Sequence, residues 1–268
     1  MSSIAKTYSV ATKYYITPRL YILGDKCFFE KENKREVVVS SKNWHHYWSD
    51  YGWIKIDEIW RRRLNKYCNP KPKNNLFGVL DCGSDGDCLF HCIAQALNQE
   101  HDIAEYDAAD IRKKTALSIT KYNFDSIIET YRLQEEFGEF DGLWEPKNIK
   151  SVRAFRTIIE TMGNTFWGDH ITIQLLEKTL NINIILLKKY TEGMYEPSEI
   201  RTGSKIYPLG TELNKNRKTI VLCYEDEVHF ILVGYFCCNY MRNLFEWRDI
   251  PKEILEIYNK DCSSEYSR

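Results

Sequence analysis

Residues 81–97 read Asp-Cys-Gly-Ser-Asp-Gly-Asp-Cys-Leu-Phe-His-Cys-Ile-Ala-Gln-Ala-Leu, so thiols, carboxylates and an imidazole crowd into one turn and one helix length. Phe90, Ile93, Ala94 and Leu97 recur at offsets of three, four and seven, which predicts a helix with one face on a core. Asp85 stands where an N-cap residue belongs, with Cys88 in the first turn. Backbone N–H groups in a first turn lack helical partners, and the helix dipole is positive there. A cysteine so placed is expected to favour its thiolate and to suit nucleophilic chemistry. Gly83 and Gly86 permit tight or left-handed backbone close to a substrate. The plain alternative is a small buried apolar side chain, which is what most cysteines in helical stretches are.

The segment Asp85-Gly86-Asp87-Cys88-Leu89-Phe90 resembles the signature of the ovarian-tumour (OTU) family of cysteine proteases, which are mostly deubiquitinases. Two further stretches agree in chain order. Trp167-Gly168-Asp169 precedes a helical stretch and the apolar strand candidate 182–187, and His229-Phe230 opens a late strand candidate. The resemblance covers about residues 77–236. It implies an α+β, papain-like fold with a central, mostly antiparallel sheet flanked by helices. It also implies a cysteine hydrolase that cuts isopeptide bonds at the ubiquitin C-terminus, with Cys88 as nucleophile and His229 as base. The backbone amides of Cys88 and Asp85 would hold the oxyanion. The implied partner is ubiquitin or a polyubiquitin chain, and no cofactor is required.

One position departs from the family pattern. Many members carry Asp or Asn two residues after the histidine, and here that residue is Ile231, which cannot orient a ring nitrogen. Asp57, Asp81 and Asn239 are open alternatives, as is a dyad without a third member. The same departure motivates a second reading, an OTU fold that binds ubiquitin without useful turnover. Phe230 and the acidic run Glu225, Asp226 and Glu227 beside His229 are candidate substrate-binding residues, because ubiquitin's tail is basic and ends in two glycines. Cys82, Cys88, His91 and Cys92 also invite a zinc reading, but no second Cys-x-x-Cys or His cluster completes four ligands, so no metal is expected.

With 268 residues and a formal net charge of −1, the chain has no global attraction to nucleic acid or an anionic membrane. No run approaches the ~18 apolar residues of a membrane helix. Nine cysteines without a secretory signal argue for free thiols in a reducing compartment, so a cytoplasmic monomer is expected. Plentiful Lys, Asn, Ile and Tyr fit an AT-rich source such as a large virus or an intracellular bacterium, which would place the protein in host cytosol.

The elements that must position these residues follow from periodicity. Segments 19–23 and 26–30 around Gly24-Asp25 predict a hairpin, with 36–40 as a third strand. The aromatic-rich stretch 43–67 ends in helical spacing that Arg61-Arg62-Arg63 interrupts, either as a nucleic-acid surface or as the solvated edge of an amphipathic helix. The Pro- and Asn-rich stretch 69–75 is the boundary candidate, dividing an N-terminal extension (1–75) from a catalytic domain (76–268). Helices are expected at 104–120, with Arg112, Lys113 and Lys114 facing solvent, and at 124–131, after Ser151, and after Asp169. The acidic segment 134–147 is expected as a loop able to hold substrate, and 193–216 as a long loop or weak hairpin. Strands 219–224 and 228–236 and a helix over 249–258 complete the reading.

Overall fold

The computed structural model describes residues 13–67, 76–100, 104–189, 199–202, 213–225 and 228–263. Its spine is a sheet in the order β5 (Ile54–Lys55), β6 (Phe77–Leu80), β10 (His229–Cys237), β9 (Lys218–Glu225), β7 (Ile182–Lys189) and β8 (Glu199–Thr202). Every pairing is antiparallel except β7 with β9. Two short strands, β11 (Tyr240–Arg242) and β12 (Leu244–Phe245), add to β10 and β9. This is the mostly antiparallel α+β sheet expected. β7 is apolar at four consecutive positions, Ile184 to Leu187, because both its faces are covered. Ile184 and Leu186 enter one core cluster, and Ile185 and Leu187 the other.

The first cluster lies under α3 (Cys88–Leu97), α4 (Ala108–Ser118), α5 (Phe124–Phe137), α6 (Val152–Glu160) and α7 (His170–Leu180). Sequence-local caps start three of these helices. Asp107 and Asp110 form a capping box on α4, Ser151 accepts from Ala154 N–H at 3.2 Å, and Asp169 accepts from Thr172 N–H at 2.8 Å. α5 runs one and a half turns beyond its expected end and closes on left-handed Gly138. The run Glu135-Glu136 hid that extension, since charged residues propagate an exposed helix face without an apolar stripe. The remaining acidic loop is partly fastened, with Phe140 and Trp144 edge-on to Tyr131 at 5.9 and 5.1 Å. Most of 193–216 lies outside the described residues; the parts described are the edge strand β8 and residues 213–216, where the Asn214 N–H donates to Asn183 Oδ1 at 3.0 Å.

The second cluster joins the far sheet face to α2 (Glu58–Asn65) and α8 (Lys252–Ser263) through Trp60, Leu64, Ile254 and Ile257. The arginine run is a solvated helix edge with partners on this side. Arg61 and Arg62 pair with Glu58 (the latter at 2.8 Å), and Arg63 grips both oxygens of Asp261 at 2.6 and 2.7 Å.

The N-terminal hairpin and third strand form as expected, in a separate sheet of β1 (Lys13–Tyr15), β2 (Leu20–Leu23), β3 (Lys26–Glu30) and β4 (Glu36–Val39). Leu20, Cys27, Phe29 and Val39 nevertheless share the core cluster of α3. Trp44 stacks on Phe236 at 6.0 Å, and a Cβ on Gly234 would stand 2.6 Å from the Trp53 ring. β5 continues the central sheet by pairing Ile54 with Val79. The boundary candidate at 69–75 falls outside the described residues.

Candidate active site

The Cys88 loop hangs between the end of β6 and the start of α3, and its backbone is left-handed at Gly83 (φ 138°), Asp85 (φ 62°) and Gly86 (φ 84°). Gly86 is needed twice over: its φ disfavours an L side chain, and a Cβ there would lie 2.6 Å from the Gly163 carbonyl oxygen. This unwound turn moves the helix start two residues on from the expectation. The N-cap is Asp87, not Asp85, and Cys88 is the first helical residue.

Asp87 does not cap with its side chain. Its carboxylate is buried and taken by Arg112 Nε and, at 2.8 Å, by the Gly163 N–H. Arg112 is not solvent-facing as its neighbours suggested; it is 0% exposed. Its guanidinium also donates to the carbonyls of Ile159 (2.9 Å), Gly86 (3.2 Å), Gly163 (3.2 Å) and Phe166 (2.8 Å), and it lies over the Phe90 ring at 4.2 Å. Burial pulls its pKa down and Asp87 opposes that shift. One cation therefore ties α4, α6, the 163–166 turn and the Cys88 loop together. A signal for it was present in the sequence. Positions 108, 111, 112 and 115 repeat at offsets of three, four and seven, so Arg112 sits on the inward stripe. The Trp-Gly pair braces the same region, since a Cβ on Gly168 would come within 2.4 Å of the Leu89 side chain.

Cys88 is 5% exposed. Burial pushes its thiol up, hydrogen bonds from the backbone N–H groups of Phe230, Leu89 and Cys88 itself draw it down, and the nearby Asp81 charge raises it again. The balance is upward, so the helix start by itself does not deliver the thiolate that the sequence suggested. The Phe230 amide sets the sulfur beside the first residues of β10, where Cys92 also donates to the Phe230 carbonyl at 3.4 Å.

His229 opens that strand, and its Nε2 lies 3.3 Å from Asp81 Oδ1. An Nε2–H donated to Asp81 leaves Nδ1 unprotonated and able to accept, a tautomer assigned from this network. Among the described residues the His229 side chain bonds to Asp81 alone, and the thiol bonds to backbone amides. Of the three candidates for the orienting group, Asp81 is the one brought to the imidazole. Asp57 caps α2 through the Trp60 N–H at 2.9 Å, and Asn239 donates to the Asp25 carbonyl at 2.5 Å. Ile231 packs against the second core cluster.

The substrate-binding expectations divide. Phe230 is 3% exposed and stacked on Tyr224 at 4.4 Å, because alternation along β10 turns it into the core; it offers the site its backbone rather than its ring. Glu225 pairs across from His229 at the end of β9. Asp226 and Glu227 lie outside the described residues.

A cysteine at a helix start, beside a strand whose first residue is an aspartate-held histidine, is the arrangement of a cysteine hydrolase. The chain matches the model of the OTU-like cysteine proteases over residues 83–230, more than half its length, and belongs to that family. A curated relative, ubiquitin thioesterase otu2 of Schizosaccharomyces pombe, is 28% identical over 126 residues, covering 46% of this chain and 37% of that protein. The matched part is therefore little over a third of that relative. Among solved structures, the OTUD1 OTU domain is similar at 16% identity and a TM-score of 0.40, covering 64% of this chain and 92% of that one. An OTU deubiquitinase from Wolbachia pipientis wMel is similar at 14% identity and a TM-score of 0.39, covering 70% and 99%.

Proposed function

We propose that the chain is a cysteine-dependent deubiquitinase that hydrolyses the isopeptide bond between the ubiquitin C-terminus and a lysine. The observation that carries this reading is the His229–Asp81 pair at the strand start whose next amide holds the Cys88 thiol. Asp81 supplies from upstream what Ile231 cannot. In the reaction His229 swings its Nδ1 to the sulfur, takes the thiol proton and later gives it to the leaving amine. Such hydrogen bonds are commonly loose without substrate and tighten in the complex. The amides of Cys88 and of left-handed Asp85 hold the oxyanion, each such donor contributing about 3 kcal/mol to the transition state. Glu225, paired across from His229, offers a carboxylate to the basic ubiquitin tail. Free thiols at Cys27, Cys82, Cys88, Cys92, Cys223, Cys237 and Cys238 fit a reducing compartment, and we place the protein in the cytosol as a monomer. Among the described residues no helix is long and apolar enough to cross a membrane.

Cys88→Ala is expected to abolish di-ubiquitin cleavage while the protein still melts cooperatively; undiminished turnover would refute the reading. A second reading, a ubiquitin-binding module without turnover, draws support from the burial that keeps the thiol protonated. A ubiquitin probe with a thiol-reactive C-terminus separates the two. Covalent labelling of Cys88 supports the enzyme, and binding without labelling supports the module.

A further inference from the structure

Cys92 lies fully buried one turn beyond Cys88, and the reaction above makes no use of it. The register of the sheet gives it a task. β10 and β6 pair from Tyr235 opposite Phe77 to Leu232 opposite Leu80. The Phe236 N–H donates to the Leu76 carbonyl at 2.8 Å. Bonded residues alternate along an antiparallel strand, so Gly234, Leu232 and then Phe230 turn their N–H and C=O to that same edge. Two residues further, the ladder would set Cys82 opposite Phe230. It stops short of that, and the Cys82 thiol donates back to the Leu80 carbonyl at 3.5 Å. Helix α3 takes the place of the missing strand. The Phe230 N–H donates to the Cys88 sulfur, and the Phe230 carbonyl accepts from Cys92 Sγ at 3.4 Å. Residues four apart share one face of a helix, which is how two sulfurs reach one strand residue.

We propose that Cys92 is a positioning residue: with Cys88 it stands in for the strand partner that Phe230 lacks, and this two-sulfur clamp fixes the start of β10 so that His229 serves the Cys88 thiol. The inference rests on the deubiquitinase reading for what the pair is used for, and its readout needs no ubiquitin. Cys92 suits the donor's part. Burial pushes its thiol pKa well up, and the neighbouring Cys82 and Cys88 thiols and the Asp81 carboxylate push the same way, so it keeps its proton. From the other edge Phe230 pairs with Tyr224 of β9 and stacks on its ring at 4.4 Å. β9 and the two sulfurs therefore hold one residue from opposite sides, and His229 is the residue just before it. Without the Cys92 donor the Phe230 carbonyl loses its partner on α3, and the strand start is tied to that helix through the Cys88 sulfur alone.

The test follows alkylation of Cys88 by iodoacetamide at neutral pH on the intact chain, located by mass spectrometry, because its rate reports the thiolate that His229 maintains. Cys92→Ala is expected to slow it about tenfold, the size of one lost hydrogen bond. Cys92→Ser keeps a donor and should stay within about threefold of wild type. Cys27→Ala, which empties a fully buried thiol in the N-terminal sheet, serves as the control that leaves the rate alone. Each variant is confirmed folded by its melting curve, and Cys92→Val, which fills the space without a donor, replaces an alanine variant that does not fold. On a His229→Ala background, already slowed, Cys92→Ala should slow the reaction by no more than about a further twofold, since the clamp acts through the imidazole. A wild-type rate in Cys92→Ala or in His229→Ala, no recovery in Cys92→Ser, or an equal fall on both backgrounds overturns the clamp. Wild-type protein that leaves di-ubiquitin uncut overturns the deubiquitinase reading alone, and the alkylation rates still decide the clamp.

Discussion

Two aspartates bracket the Cys88 loop and sit in opposite settings. Asp87 pairs with Arg112 where the side chains are 8% and 0% exposed, while Asp81 pairs with His229 where they are 65% and 28% exposed. The first pair is out of water, satisfied on every side and bonded to four carbonyls besides. The second is open to solvent, and its aspartate oxygen also accepts from the Gly83 N–H at 3.1 Å. Burial decides the difference. A charge pair without water is costly to break because the survivor stays uncompensated, whereas an exposed pair contributes little to folding. The loop thus has a buried side that sets where the Cys88 sulfur and the amides of Asp85 and Cys88 stand, and an exposed side at the proposed base, His229.

Three measurements would break or sharpen that contrast. The largest effect is expected at the buried pair. Arg112→Met should lower the unfolding free energy in urea by about 3–5 kcal/mol, the loss typical when one partner of a buried pair is removed. Adding Asp87→Asn to that variant should recover part of the loss by removing the orphaned charge. A destabilisation under about 1 kcal/mol would mean the pair is not the clamp described.

Next comes Asp81→Ala. Its stability should stay within about 1 kcal/mol of wild type, as for an exposed pair, while kcat/KM on di-ubiquitin falls about 100-fold because the imidazole loses its orienting partner. Equal damage to stability at Asp81 and Arg112 would erase the distinction between the two sides.

The smallest effect concerns the thiol. In His229→Ala the sulfur has only its local surroundings, where burial dominates and pushes it above the ordinary 9.0. Alkylation of Cys88 by iodoacetamide, followed by mass spectrometry, should then rise with pH around a midpoint above 9.0. The sign for folding runs the same way. A raised thiol pKa favours the protonated native form, so its contribution is complete below the unfolded value and is lost as pH climbs through the native one. A midpoint below 9.0 would show that the helix start, rather than His229, activates the nucleophile.

Much of this molecule was legible without coordinates, and the legible parts share a property. The α3 stripe, the helix starts after Ser151 and Asp169 and the Gly24-Asp25 hairpin are all set within a few residues of chain, where periodicity and capping chemistry act. The glycines of the Cys88 loop suggest room for a substrate, but what stands against them is the protein itself, the His91 ring at Gly83 and the Gly163 backbone at Gly86. Local reasoning failed at Asp85, where it placed the helix cap. Asp87 took that position because the turn unwinds at Asp85 and Gly86.

The sequence alone determined the Cys88 helix, the strand that opens on His229, and the family signature that spans them. It left open the partner of His229, the burial of Arg112, and the union of the N-terminal segment with the catalytic sheet. Only the tertiary structure decided these. Asp81 meets His229 across 148 residues, Asp87 meets Arg112 across 25 and the Gly163 amide across 76. No local period encodes such distances. They are settled by which surfaces the packed helices and sheet bring together, and by the cost of leaving a buried charge without an answer.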